Sequence, residues 1–159
     1  MKKYLLLIFV LLSSFVANAQ LVKSDIMNRI FESKPEAVCR IQFDESYFYL
    51  LTWNNKDYSV IGKYPYYLSN KEEDSFEQAK VGTETSGNYL ITLNSKLDDN
   101  NNKINFLTAF RIESIAGESL SLSNKEYCFE FIDKGVATSK DIAKLAKYKE
   151  RKLGFVPKR

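Results

Sequence analysis

Between residues 36 and 131 apolar side chains recur at every second position, and polar turn clusters interrupt them at near-regular intervals. This rhythm constrains the fold most, because only an extended chain sends alternate residues to opposite faces. Ala37, Cys39, Ile41 and Phe43 alternate with Val38, Arg40 and Gln42, and Asp44-Glu45-Ser46 follows as a tight turn. Residues 47–53 (YFYLLTW) are apolar on both faces, as in a strand covered on both sides. Asn54-Asn55-Lys56-Asp57 turns the chain again. Tyr58, Val60 and Tyr64 then share a face, with Gly62 as a candidate bulge. Pro65 breaks the ladder, which leaves Tyr66-Tyr67-Leu68 as a short edge strand.

Residues 69–87 are polar and acidic around Glu72-Glu73-Asp74, with one helical turn expected over 74–79. A connection of this length over a rigid scaffold is either a plain loop or a functional one. Strand signals resume with Tyr89, Ile91 and Leu93, and residues 98–102 form a polar turn. Ile104, Phe106, Phe110 and Ile112 define an inward face, while Arg111 and Glu113 point away. Ala116-Gly117 turns, Leu120 and Leu122 alternate with serines, and Tyr127, Phe129 and Phe131 close the series. About eight short strands joined by polar turns predict an antiparallel barrel or sandwich.

Two segments leave the period of two. Val22, Ile26, Met27, Ile30 and Phe31 recur at helical spacing, with Ser24 as N-cap and Pro35 as stop, which predicts a short amphipathic helix over 24–33. Thr138-Ser139-Lys140-Asp141 has the pattern of a capping box and opens a C-terminal amphipathic helix. Its stripe is Ile142, Leu145, Ala146 and Leu153; Gly154 suits the C′ position and Phe155 the contact of a Schellman end. The expected fold class is therefore mainly β: about eight antiparallel strands in a barrel or sandwich, with a short N-terminal helix and a C-terminal amphipathic helix.

Residues 1–19 have the layout of a secretory signal peptide. Lys2 and Lys3 precede an apolar run from Tyr4 to Phe15, and Ala17 and Ala19 occupy the −3 and −1 positions before Gln20. The run is short for a membrane span, and no stop-transfer segment follows, so no transmembrane anchor is expected. Cleavage would leave 140 residues, enough for one domain with its own core. The expected organisation is a signal peptide over 1–19, an antiparallel β domain with an N-terminal helix over 20–133, and a basic helix and tail over 134–159. Residues 20–133 hold 12 basic and 18 acidic side chains, and residues 134–159 hold 9 basic and 2 acidic. The near-neutral total gives no case for nucleic-acid binding. The basic tail suits its own acidic body, an acidic partner, or weak contact with an anionic surface.

The chain has no histidine, so Ser-His-Asp and Cys-His catalytic groups are excluded, and two cysteines cannot supply a four-cysteine zinc site. The acidic pairs sit side by side in turns, where two carboxylates do not face each other across a cleft. Residues 98–102 offer hard oxygen ligands for calcium, without the positions of an EF-hand. No catalytic residue, metal ligand or cofactor is expected, and the protein is read as a non-enzyme. Cys39 and Cys128 are disulfide candidates in an oxidising compartment, closing a loop of about 90 residues. Their strand phases disagree, since Cys39 is in step with Ile41 and Phe43 and Cys128 is out of step with Phe129 and Phe131.

The densest feature is an aromatic cluster, Tyr47, Phe48, Tyr49, Trp53, Tyr58, Tyr64, Tyr66 and Tyr67, and the candidate ligand-binding residues are its Tyr47, Tyr49, Trp53, Tyr58 and Tyr64 with Phe106 and Phe110. The cluster is either core and strand surface, or the lining of an apolar or sugar-binding cavity.

The segment Gly87-Asn88-Tyr89-Leu90-Ile91-Thr92-Leu93, then Phe110-Arg111-Ile112-Glu113-Ser114-Ile115, then Glu118-Ser119-Leu120-Ser121-Leu122-Ser123, resembles small bacterial lipocalin-like exported domains over roughly residues 87–132. The family's early Gly-x-Trp is absent, since Leu51-Thr52 precede Trp53, and the resemblance assigns no functional residue. It implies a barrel that holds an apolar or amphipathic small ligand. The Ala17-Asn18-Ala19-Gln20 region and the Lys- and Asn-rich composition resemble an exported protein of a Gram-negative bacterium, periplasmic or secreted. The leading expectation is thus a non-enzymatic binding module. The alternative is a periplasmic protein-interaction role, as inhibitor or immunity protein, carried by the acidic loop at 72–77 and the charged tail.

Overall fold

The structure, a computed structural model, describes residues 20–116 and 118–148. The leader expected over 1–19 and the helix end expected at Leu153, Gly154 and Phe155 lie outside the described residues. The elements are β1 (Leu21–Val22), α1 (Lys23–Ile26), β2 (Arg29–Ser33), β3 (Cys39–Phe43), β4 (Tyr47–Trp53), β5 (Tyr58–Ser69), a 3₁₀ turn (Gln78–Lys80), β6 (Ser86–Gly87), β7 (Tyr89–Leu97), β8 (Lys103–Ala116), β9 (Ser119–Ser123), β10 (Cys128–Val136) and α2 (Ser139–Ala146). Eight strands close a barrel in the order β2-β3-β4-β5-β7-β8-β9-β10, and β10 pairs back to β2. Every neighbouring pair is antiparallel. The wall is therefore an up-and-down meander, and β1 and β6 form a separate two-stranded ribbon.

Four of its turns share one chemical device. The side-chain oxygen of Asp44 accepts from the backbone N–H of Ser46 and Tyr47, at 2.8 and 2.6 Å. Asn54 does the same for Lys56 and Asp57, Asp98 for Asn100 and Asn102, and Asn124 for Glu126 and Tyr127. A short polar side chain at the first turn position satisfies backbone donors that leave the ladder. Asn55 and Asn101 supply the left-handed residues, with φ of 69° and 63°.

The N-terminal helix differs from expectation. It is a single turn that begins at Lys23 with no side-chain cap, so Ser24 is not its N-cap. Met27, already extended, ends it, Asn28 follows at φ 56°, and residues 29–33 are strand β2. Phe31 then lies between Ile41 on β3 and Asp133 on β10. The helical spacing of Ile30 and Phe31 was outweighed by barrel closure, which needs a strand at this place. Residues 66–68 are also not an edge strand. β5 is continuous: Pro65 still faces Tyr47 on β4, and Tyr66 already faces Thr92 on β7. Proline marks the residue where β5 changes partner. The expected bulge does form, since Leu50 faces Gly62 while Leu51 faces Val60, with Ile61 the extra residue.

One end of the barrel is filled. Leu21, Ile26, Phe31, Phe43, Tyr66, Leu68, Leu90 and Leu120 form a buried cluster. Phe43 meets Phe31 and Tyr66 edge to face at 6.2 and 5.4 Å, and the Tyr66 hydroxyl donates to the Asp44 carbonyl at 2.9 Å. Burial above all, then the carboxylates of Asp44 and Glu45, push the Tyr66 phenol pKa up.

Outside the wall, Tyr49, Leu51 and Tyr58 form a second buried cluster, with Tyr47, Val60 and Leu145 packed against it. Leu145 belongs to α2, so the helix lies across this face. Lys144 ties it down by donating to Asp57 Oδ2 at 2.9 Å and to the Tyr58 carbonyl at 3.0 Å. The capping box is present: the Asp141 N–H donates to Thr138 Oγ1, and the Thr138 N–H to Asp141 Oδ2. The acidic loop is folded as well. Glu73 is buried and accepts from Ser69 Oγ at 2.9 Å and Lys80 Nζ at 3.1 Å, which hold its pKa below the usual carboxylate range. Phe76 packs on Tyr67, with ring centroids 5.2 Å apart.

Candidate ligand-binding site

The barrel interior divides into two halves. Toward α1 the inward-facing side chains are buried. Toward the turns at 54–57, 98–102 and 124–127 the inward-facing side chains stay open to solvent. Phe129 faces Leu122, a core residue, and so points inward, yet it is 41% exposed. Phe106 lies opposite Asn94, whose amide donates to Thr92 Oγ1 at 2.9 Å and Thr108 Oγ1 at 2.7 Å. Thr92 is fully buried, so Asn94 and Phe106 share the inward face, and Phe106 is also 41% exposed. Ile104 continues that face and is exposed too. Phe110, Phe48, Leu50 and Cys39 are partly buried and pack on the filled half below. Tyr127, Phe129, Phe110 and Phe131 form a chain of ring contacts 5.9–6.5 Å apart that leads from the mouth to the core.

The expected site residues separate into two groups. Tyr64, Phe106 and Phe110 are on the inward side, and the Tyr64 ring stacks on Phe48 at 5.1 Å. Gly62 makes room for it, since a Cβ there would lie about 2.5 Å from the Tyr64 ring. Tyr47, Tyr49, Trp53 and Tyr58 are on the outer face. Tyr49 and Tyr58 are buried with α2 packed against their cluster, and Trp53, 5.2 Å from Tyr58, is exposed. Tyr49 donates to Asp44 Oδ2 at 2.7 Å, and Arg40 lies 3.7 Å over the Tyr58 ring. Strand β4 is apolar on both faces, so the sheet itself splits its aromatics. Phe129 and Ile104 were missing from the sequence-based set. The step from Phe131 to Phe129 was the available signal, because both lie on one strand face.

The wall is also incomplete along one side. Residues 58–65 of β5 pair with β4, residues 66–69 pair with β7, and residues 93–97 of β7 pair only with β8. A cavity of about 330 Å³ occupies the resulting gap. Tyr64 and Asn94 reach it from the inward face, and Lys63, Ser95, Lys103 and Tyr148 also line it. Lys63 Nζ lies 3.9 Å from the Tyr47 ring centroid. Burial, with the nearby Tyr148 phenol second, raises the Tyr64 pKa.

A larger cleft of about 530 Å³ lies on the outside, between β8 and the turn at 124–126. Its charges answer one another: Arg111 is 3.9 Å from Glu113, and Lys125 is 3.8 Å from Glu72.

Cys39 and Cys128 are both free thiols, which corrects the expected disulfide. Cys39 packs on the core cluster from inside, opposite Thr52. Cys128 is exposed and alternates with inward-facing Phe129, so it points out of the wall. The phase disagreement in the sequence is the physical reason. Among the described residues, no cluster of three or more Asp, Glu or Cys side chains is placed to hold a metal, and the Asp98 carboxylate caps its own turn. No helix of the described residues is long and apolar enough to cross a membrane. No protein-family model, curated protein or solved structure matches the chain.

Proposed function

We propose that the protein is an exported, non-enzymatic binding protein that holds an apolar or amphipathic small ligand in the open half of its barrel, as small lipocalin-like domains do. The observation that carries this reading is the exposure of Phe106 and Phe129 on the inward face of a closed barrel. An eight-stranded barrel has an interior that side chains fill or that holds one small ligand. Here the aromatic residues of one half leave surface uncovered, and covering it is favourable by roughly 25 cal/mol per Å². The leader pattern at 1–19 supports export.

Native mass spectrometry of the protein recovered without detergent from the periplasm of an expressing Gram-negative host tests the reading. The expected result is a mass above that of the chain, lost on collisional activation, or uptake of a neutral apolar probe by the bare protein. A bare chain that takes up no such probe would defeat it.

A further inference from the structure

We propose that the open end of the barrel docks on an anionic lipid surface, with Trp53 and Val38 entering the interface and the lysines of α2 meeting the lipid phosphates. This goes beyond the barrel-ligand reading, because it concerns the outer rim and would hold for an empty barrel.

The uncovered apolar surface is gathered at one end. The up-and-down order puts the turns at 34–38, 54–57, 98–102 and 124–127 at the open end, and those at 44–46, 70–88 and 117–118 at the closed end. Val38, Trp53, Ile104, Phe106, Tyr127 and Phe129 are all exposed, and all lie in the open-end turns or within four residues of them. Val38 and Trp53 carry this surface onto the outer wall. Cys39 faces Thr52, and the Trp53 N–H donates to the Val38 carbonyl at 3.1 Å, so the two side chains are neighbours on the outward face. Trp53 also faces Tyr58, where Lys144 of α2 is anchored. An uncovered tryptophan beside an aliphatic side chain marks a surface that a partner covers, and an indole ring suits the boundary between lipid and water.

Charge selects the partner. The closed-end turns hold eight acidic and two basic residues. At the open end, residues 34–38, 54–57, 96–103 and 124–127 hold five of each. Residues 139–148 then add three basic and one acidic. Lys144 reaches Asp57, in the turn that follows Trp53, and Lys140 and Lys147 are exposed. Ile142, one helical turn before Leu145, is exposed as well. The barrel thus keeps its negative charge away from the apolar rim. An anionic surface repels the closed end and attracts the α2 side, which turns the mouth toward the lipid. A second copy docked rim to rim would instead bring like lysines together.

Trp53 is the single tryptophan, so its emission reports docking directly. The protein is titrated with vesicles of equal parts phosphatidylglycerol and phosphatidylcholine, and with vesicles of phosphatidylcholine alone. A saturable blue shift is expected with the first, at an affinity at least tenfold above the second, and added salt should weaken it. A Val38→Ser/Lys140→Gln/Lys147→Gln variant that melts as a folded protein should lose at least tenfold in affinity. No shift with either vesicle, equal affinity for the two compositions, or an unchanged variant overturns the proposal. So does a dimer that shields Trp53 from acrylamide without vesicles, which would assign the patch to a second copy. Uptake of a neutral apolar probe without vesicles is independent of all these outcomes, so docking and ligand binding fail separately.

Discussion

The rings of Phe110 and Phe129 meet edge to face, with centroids 6.0 Å apart, from two strands that are not neighbours in the wall. β9 lies between them and contributes Leu122 to the same inward face. Phe110 packs on the buried cluster, while Phe129 remains 41% exposed. This contact marks the level at which a filled barrel becomes an open one. Below it side chains supply the packing, and above it they leave aromatic surface uncovered.

Stability and binding should therefore separate along the barrel axis. Phe43→Ala removes a side chain that is 1% exposed and touches three other rings, those of Phe31, Phe48 and Tyr66, so a loss of about 3–5 kcal/mol is expected from urea unfolding. Phe129→Ser removes one that is already open to water, and its cost should be about 1 kcal/mol. Equal losses at the two positions would show that the mouth is packed as tightly as the base.

Cys39 and Cys128 should titrate as two thiols in the unfolded, unreduced protein. In the folded protein Cys128 should react quickly with a thiol reagent and Cys39 slowly, because only Cys128 is exposed. A mass two hydrogens short of the dithiol form would contradict this arrangement.

Alkaline pH should unfold the barrel through its buried phenols. Burial raises the Tyr66 pKa above its ordinary value of 10.0. A raised pKa means that the folded state holds its proton more tightly than the unfolded state. The contribution is full below pH 10 and is lost as pH rises toward the folded value. Stability measured from pH 8 to 12 should decline above 10 in the parent. Tyr66→Phe should start lower by about 1 kcal/mol, for the lost bond to the Asp44 carbonyl, and decline less steeply.

Thr138→Ala should loosen α2 by about 1 kcal/mol, since the hydroxyl accepts from the Asp141 N–H at the helix start. Faster amide exchange is expected over 139–146, with the barrel strands unchanged. A uniform rise in exchange would mean that the helix and the barrel unfold together.

The strands were legible in the sequence because their period of two is local, and so were the turns, where Asp44, Asn54, Asp98 and Asn124 each cap the residues that follow. The capping box at Thr138 and Asp141 was legible for the same reason. What failed depended on distant partners. Residues 29–33 look helical until β10 and β3 claim them on both sides. Residues 66–68 look like an edge until β7 arrives. The aromatic set was divided because β4 is apolar on both faces, and nothing near Tyr49 or Tyr58 announces that Leu145 will pack against them. The gap between β5 and β7 is a consequence of closure, with Pro65 its only local sign.

The most direct measurement is the fluorescence of N-phenyl-1-naphthylamine, a neutral apolar probe, titrated with the protein and with a Phe129→Asp variant that melts as a folded protein. A saturable rise in emission is expected with the parent, and a loss of affinity of about tenfold or more with the variant, since a charge would stand in an apolar mouth. No saturable rise with the parent, or the same affinity in both, would contradict a ligand in the open half of the barrel.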